Sequence, residues 1–403
     1  MAAGRVTVST ASTAMGAEGI VIVGAGPGGL ATARSYREHG GEEPVTLIGE
    51  EPMLPYERPP LTKEFLRGEL EEAELLLEQH GWFESNDVQL LQGTSVHAID
   101  PQRRRVLIEG GAALEARSIV LATGSEPLRP LLPGFDHPSV LTMRMLSDSR
   151  AIAAYADSAE VVIVIGTGFI GCEIAASLMA RGARVKLVGE EALPQEARLG
   201  ADVGRRIAGW LGELGVELIA EAEVSAVHDA QTVELADGRR IEGSCVVLGM
   251  GARPRGELAE AAGLQMHDGA IVVDETLRAP GYDGAVLAVG DVAHALNTSA
   301  RRSLRVEHWG DALDHGALAG RRLACGEGEW DGVPGFWSTI GERTLKYAAW
   351  GDGYEQSRMV EHAGGGFTVW YSRDGVAVGV LTHECDEDYE RGRELIGAGE
   401  PAS

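Results

Sequence analysis

The chain has 403 residues, 44% hydrophobic and 24% charged, which suits a soluble globular protein of two or three domains. Its formal net charge of −26 argues against a nucleic acid or an anionic membrane as partner, because either needs a basic face, although a local basic patch is still compatible. The four cysteines (Cys172, Cys245, Cys325 and Cys385) lie far apart and form neither a C-x-x-C pair nor a metal-spaced cluster; they read as reduced thiols of a cytoplasmic protein with no metal site.

Residues 1–18 lack an apolar signal core and read as a disordered tail rather than a targeting segment. The run Ile20 to Val23 then reads as a strand. It ends at Gly24, and Gly24, Gly26 and Gly29 form G-x-G-x-x-G before an Ala-rich helix. A second strand, PVTLIGE, ends at Glu50, 21 residues after Gly29. This is a dinucleotide fingerprint in its full strand–turn–helix–strand context. Gly24 permits the tight turn, Gly26 lets backbone approach a pyrophosphate, and Gly29 lets the helix pack on the strand. The helix N-terminus supplies free N–H groups for phosphates. Glu50 is placed to accept from ribose hydroxyls.

The stretch LPYERPPLTKEFL, Leu54 to Leu66, follows without a cysteine. The segments IVLATGSEPLRP (Ile119 to Pro130) and VVLGMGARPRGELAEAAGL (Val246 to Leu264) share one shape, an apolar strand, a glycine turn and a proline-containing exit. They read as the two places where the chain crosses between nucleotide-binding units. Between them lies a second fingerprint, with Gly166, Gly168 and Gly171, a strand Val185 to Val188, and Glu190 at 19 residues after Gly171. Its run VVIVIGTGFIGCEIAASLMA has the length of a membrane span but carries Glu173 and three glycines, so strand, turn and helix explain it better.

Gly284 to Ala295 reads as another buried strand, which puts Asp291 at a carboxyl end, where ligands bind in α/β sheets. The last part, about Trp330 to Ser403, has no nucleotide motif. GFTVWYSRDGVAVGVLTHE reads as a hairpin turning at Arg-Asp-Gly, followed by a helix whose acidic start reads as solvated. His383 and Cys385 near that start are too few ligands for a metal.

The order of these motifs resembles the FAD-dependent pyridine nucleotide oxidoreductases, and within them the ferredoxin-reductase branch, from about Gly19 to about Ile396. LPYERPPLTKEFL carries the most specific part of the resemblance: Tyr, Arg, two Pro, Leu, Thr and Lys where other branches keep a redox cysteine pair. VEHWGDALDHG and FWSTIGERTLKYAAWG match more loosely. The implied fold is α/β: two Rossmann-like units and a small α+β C-terminal domain. Its implied boundaries are 19–128 with 256–328 for FAD, 129–255 for NAD(H), and 329–403 for the interface domain.

The resemblance implies that Gly24, Gly26, Pro27, Gly29 and Glu50 hold the ADP half of FAD, with Val96 meeting the adenine through its backbone. It puts Arg58 and Lys63 near the flavin, Thr123 and Gly124 along the FAD path, and Asp291 on the ribityl chain. The helix starting near Glu307, His308 and Trp309 would point at the pyrimidine edge. Trp309 and Trp337 are candidates to shield the flavin or carry electrons, with packing roles as the alternative. Lys63 and Glu173 form the implied catalytic pair, Glu173 being the partner that a lysine buried beside the flavin requires. Gly166, Gly168, Ile170, Gly171, Glu190 and Gly251 would hold the nicotinamide dinucleotide. Gly189 stands where the branch usually keeps an acid that selects NADH, and Glu190 and Glu191 follow it. Two carboxylates with no arginine cluster favour NADH over NADPH.

The implied function is electron transfer from NADH through FAD to a small iron–sulfur ferredoxin. Arg301, Arg302, Arg305, Arg321 and Arg322 are the candidate basic patch for such a partner, in a monomer or homodimer. The alternatives are an NADH-binding flavoprotein with a regulatory or assembly role, and a reductase of a small acceptor such as a quinone.

Overall fold

A computed structural model describes residues 19–158 and 161–402; the tail expected over 1–18 lies outside them. The first unit is a parallel sheet in the order 88–91, 45–48, 19–23, 113–121, 286–288. All five residues of Gly19–Val23 are buried, as expected of a strand covered on both faces. The second unit repeats this order with 217–219, 184–188, 161–165, 245–248 and 140–142, again all parallel. Each unit therefore has its fingerprint strand in the middle and its glycine turn at a carboxyl edge, where α/β sheets bind ligands. The apparent membrane span resolves into strand Val161–Ile165 and helix Phe169–Ala180. Among the described residues no helix is long and apolar enough to cross a membrane.

The chain crosses between the units through two short strands, Ser125–Pro127 and Ala252–Pro254, which pair antiparallel with each other. The third unit is a five-stranded antiparallel sheet from Gly335–Ile340 to Val376–His383, with helix Asp386–Ala398 packed on it. Its hairpin turns at Asp374 and Gly375, both at positive φ, as a two-residue turn between twisted strands requires. The acidic start of that helix is not simply solvated. Asp386 pairs with Lys346 at 2.7 Å, and Asp388 accepts from Thr368 at 2.6 Å, so these carboxylates fasten the helix to the sheet.

Candidate functional site

The two glycine turns share one backbone design. Gly24 and Gly166 sit at φ of 113° and 111°, where an L side chain is strained, and a Cβ on either would strike a carbonyl of the neighbouring strand end. A Cβ on Gly29 or Gly171 would lie 1.9 Å from the carbonyl oxygen of Gly24 or Gly166. Only glycine lets these helices start so close to their strands.

The correspondence continues at the ends of the second strands, VTLIGEE and VKLVGEE. Gly49 N–H donates to Leu91 O at 2.8 Å and Gly189 N–H to Ile219 O at 3.0 Å. Gly189 is therefore the counterpart of Gly49, and Glu190 the counterpart of Glu50. An acid at 189 is excluded sterically, because a Cβ there would meet Thr167 Cγ2 at 2.4 Å. The first acid after the strand falls one residue later in both copies.

A cleft opens over the first turn. Gly24, Gly26 and Pro27 form one wall, and Glu50 and Arg58 form another. Thr123, Gly124 and Asp291 close it from the crossing segment and the returning strand. Gly26 has nothing within 4 Å of a built Cβ, and the helix it precedes has no side-chain cap. An open, uncapped helix N-terminus at a strand edge fits the pyrophosphate of a dinucleotide. Gly29 lies beneath this turn as a packing residue. Val96 does not line the cleft; it sits in strand Val96–Asp100, paired with Ile108.

Several residues here were not singled out in the sequence. Arg144 Nη2 donates to Asp291 Oδ2 at 2.8 Å, and Ser125 Oγ donates to the same oxygen at 2.6 Å. Arg58 binds Glu51 at 2.9 Å and the Arg144 carbonyl at 2.7 Å. Tyr56 donates to Glu51 at 2.6 Å, and burial pushes its hydroxyl up to about 12, which keeps it a neutral donor. Arg255 reaches Glu50 at 2.8 Å from the second crossing strand's exit. The contacts of Asp291 with Ser125 and Arg144 and of Arg255 with Glu50 join segments over a hundred residues apart, so no local pattern announces them.

His315, also unsuspected, backs the Asp291 turn. Gly290 N–H donates to its Nδ1 at 3.3 Å, its Nε2 is buried without a partner among the described residues, and Trp330 packs edge-on at 4.5 Å. Burial lowers its pKa to about 4, against an ordinary value near 6.5. The folded state thus binds fewer protons than the unfolded one between those values, and stability falls as pH drops from 6.5 towards 4. We expect a loss of about 3 kcal/mol across that window. Urea unfolding at pH 7 and pH 4.5 tests it; His315→Gln should flatten the difference, and an equal pH dependence in both proteins would refute the assignment.

Lys63 and Glu173 come together at the junction of all three units. Pro59 and Pro60 preset the turn Pro59–Thr62, which delivers Thr62 and Lys63 against helix Phe169–Ala180. Lys63 Nζ lies 3.2 Å from Glu173 Oε2, with the residues 6% and 3% exposed. Thr62 Oγ1 donates to the same oxygen at 2.5 Å. The other oxygen, Oε1, accepts from Ser338 Oγ at 2.7 Å and Thr339 N–H at 3.1 Å, both in the C-terminal sheet. One buried carboxylate thus receives four donors from two other units.

The remaining candidates lie around this centre. His308 is the N-cap residue of helix Trp309–Cys325, and its Nδ1 is 3.0 Å from Asp311. Trp309 begins that helix, half-buried, while Trp337 is 42% exposed. Glu307 is 3.3 Å from Arg305; burial raises its carboxyl above the usual range and Arg305 partly offsets this. Ile170, Glu190 and Gly251 are exposed around the second turn. In the arginine group, Arg302 pairs with Asp352, and Arg322 donates to Gly328 O at 3.3 Å, so not all of its charge is free.

The pyridine nucleotide-disulphide oxidoreductase family model matches residues 18–316. The chain is 32% identical over 392 residues to the ferredoxin–NAD(+) reductase component of the anthranilate 1,2-dioxygenase system of Burkholderia cepacia, covering 96% of this chain and 95% of the relative. A crystal structure of a ferredoxin reductase from Rhodopseudomonas palustris superposes with a TM-score of 0.90 at 27% identity, covering 96% of each chain. The reductase in a covalent putidaredoxin reductase–putidaredoxin complex gives a TM-score of 0.89 at 28% identity, covering 96% of this chain and 95% of that one.

Proposed function

We propose that this chain, which belongs to the pyridine nucleotide-disulphide oxidoreductase family, is an FAD-dependent reductase that takes electrons from NADH and delivers them to a small iron–sulfur protein. The observation that carries this reading is the buried Lys63–Glu173 pair, set where the two glycine-turn units and the C-terminal sheet meet. The stretch carrying Lys63 has no cysteine, so electrons would leave the cofactor without a thiol relay. FAD supplies the conversion between a two-electron donor and a one-electron acceptor; the protein supplies binding and orientation.

Residues 19–128 with 256–328 would hold FAD, 129–255 the nicotinamide dinucleotide, and 329–403 would close over both. Gly24, Gly26 and Pro27 present the helix N-terminus to the FAD pyrophosphate, and Glu50 takes the ribose hydroxyls. Asp291, oriented by Ser125 and Arg144, accepts from the ribityl chain. Lys63 would lie beside the isoalloxazine, and Glu173 holds its ammonium in place. Gly166, Gly168 and Gly171 do for NADH what the first turn does for FAD. Glu190 matches Glu50 in backbone position, which supports a ribose contact and repulsion of a 2′-phosphate. An iron–sulfur acceptor is supported by the relatives' own partners, with Arg301 and Arg321 as starting points for its docking face.

Anaerobic stopped-flow mixing with NADH and with NADPH tests this. NADH should bleach the flavin at least about tenfold faster, as one repelled phosphate worth roughly 1.4 kcal/mol implies. Glu190→Ala should narrow that ratio. A protein that holds FAD but is bleached by neither nucleotide would overturn the reading.

A further inference from the structure

The second glycine turn differs from the first in what stands over it. Gly26 is open, whereas a Cβ on its counterpart Gly168 would find the amide nitrogen Nε2 of Gln195 at 3.6 Å. Gln195 is 9% exposed, and among the described residues its side-chain amide has no hydrogen-bond partner. Its backbone is unfavourable, with φ 61° and ψ 18° in the left-handed region. The short helix Glu196–Leu199 holds it there, with the Arg198 and Leu199 N–H groups donating to the Gln195 carbonyl at 3.2 and 2.9 Å.

This strained backbone sets the amide over the uncapped N-terminus of the twelve-residue helix Phe169–Ala180. That helix end offers N–H groups and a partial positive charge, which favour an anion. Glu190 and Glu191 stand at the same edge, so an arginine here would be drawn to those carboxylates. A neutral donor avoids that competition and still satisfies a phosphate oxygen.

We propose that Gln195 binds the pyrophosphate of the nicotinamide dinucleotide, its Nε2–H donating to a phosphate oxygen lodged at the N-terminus of helix Phe169–Ala180. This rests on the reading of the second turn as the NADH site. The strained backbone sets the amide's direction, and the bound phosphate supplies the partner it lacks. Gln195→Gly separates the two contributions, because glycine adopts positive φ freely and removes only the amide. Gln195→Glu keeps the shape and replaces a donor with an anion.

The test is calorimetric titration of the oxidised, FAD-loaded protein with ADP-ribose, together with its melting temperature. Gln195→Gly should weaken ADP-ribose about tenfold, the value of one hydrogen bond to a charged group, without lowering Tm. Gln195→Glu should weaken it further. The proposal is overturned if both variants bind within twofold of wild type, or if Gln195→Glu binds as well as wild type, which would make the side chain an acceptor for ribose. It also falls if Gln195→Gly loses Tm in proportion to affinity, which would make the residue structural. If wild type is bleached by NADH while the variants are unaffected, only this inference fails. If wild type neither binds ADP-ribose nor is bleached, the reading of the second turn fails with it.

Discussion

Replacing Glu173 by alanine should destabilise the protein by about 3–5 kcal/mol and slow its reduction by NADH. The reason is the geometry at the junction. Lys63 is buried, and Glu173 is the carboxylate it pairs with. Removing that carboxylate strands an ammonium and leaves the Thr62 and Ser338 hydroxyls and the Thr339 N–H without their acceptor. The reverse substitution is milder. Lys63→Ala leaves Glu173 with three remaining donors, so its charge stays partly satisfied. It should still impair single-turnover reduction if Lys63 has the role at the flavin proposed for it, because that side chain is gone. The double variant should recover part of the Glu173→Ala loss, since no unpaired charge remains buried. Urea unfolding of the four proteins measures the cycle. Equal, small losses for the two single variants would show that the pair is not a buried charge couple. A normal reduction rate in Lys63→Ala with normal FAD content would remove Lys63 from the cofactor site.

Asp291→Ala is expected to raise the dissociation constant for FAD by about a hundredfold, the usual scale for truncating one member of a buried, hydrogen-bonded charge pair. Asp291 Oδ2 already accepts from Ser125 and Arg144, so its other oxygen is the one held available to a ligand. Its position also fixes Arg144, whose carbonyl anchors Arg58. The loss should therefore spread along one wall of the cleft. Asp291→Asn keeps an acceptor oxygen and should retain much more FAD. Flavin content after gel filtration, followed by fluorescence titration of the stripped protein, measures both. An alanine variant that keeps a full complement of FAD at wild-type affinity would show that the aspartate only holds Arg144.

Repeated local patterns were readable from the chain alone. Two glycine turns, each between a buried strand and a helix and each followed by an acid at the right distance, pointed to the α/β class, to two candidate dinucleotide turns and to the likeness to a flavin-dependent family. These signals are local because they arise from backbone sterics: a positive φ at Gly24 or a 1.9 Å approach at Gly29 demands glycine wherever the chain folds this way. The two-residue turn at Asp374 and Gly375 was legible for the same reason.

The side chains that complete the clefts were not legible. Lys63 and Glu173 could be paired from sequence only through the family likeness, and nothing local marks Ser338 as a further donor to Glu173 or Arg144 as a partner of Asp291. These partners are 165 and 147 residues apart, and no periodicity relates them. Gly189 is the clearest case. By sequence it was a missing acid; in the fold it is a glycine required by Thr167, with the acid one residue on, just as in the first copy. His315 read as an ordinary polar residue until burial removed its alternatives, and Gln195 until the fold set its amide over the second turn. The backbone's own sterics were thus written in the sequence, while the desolvation that makes a histidine or an ion pair consequential existed only once the three units closed around it.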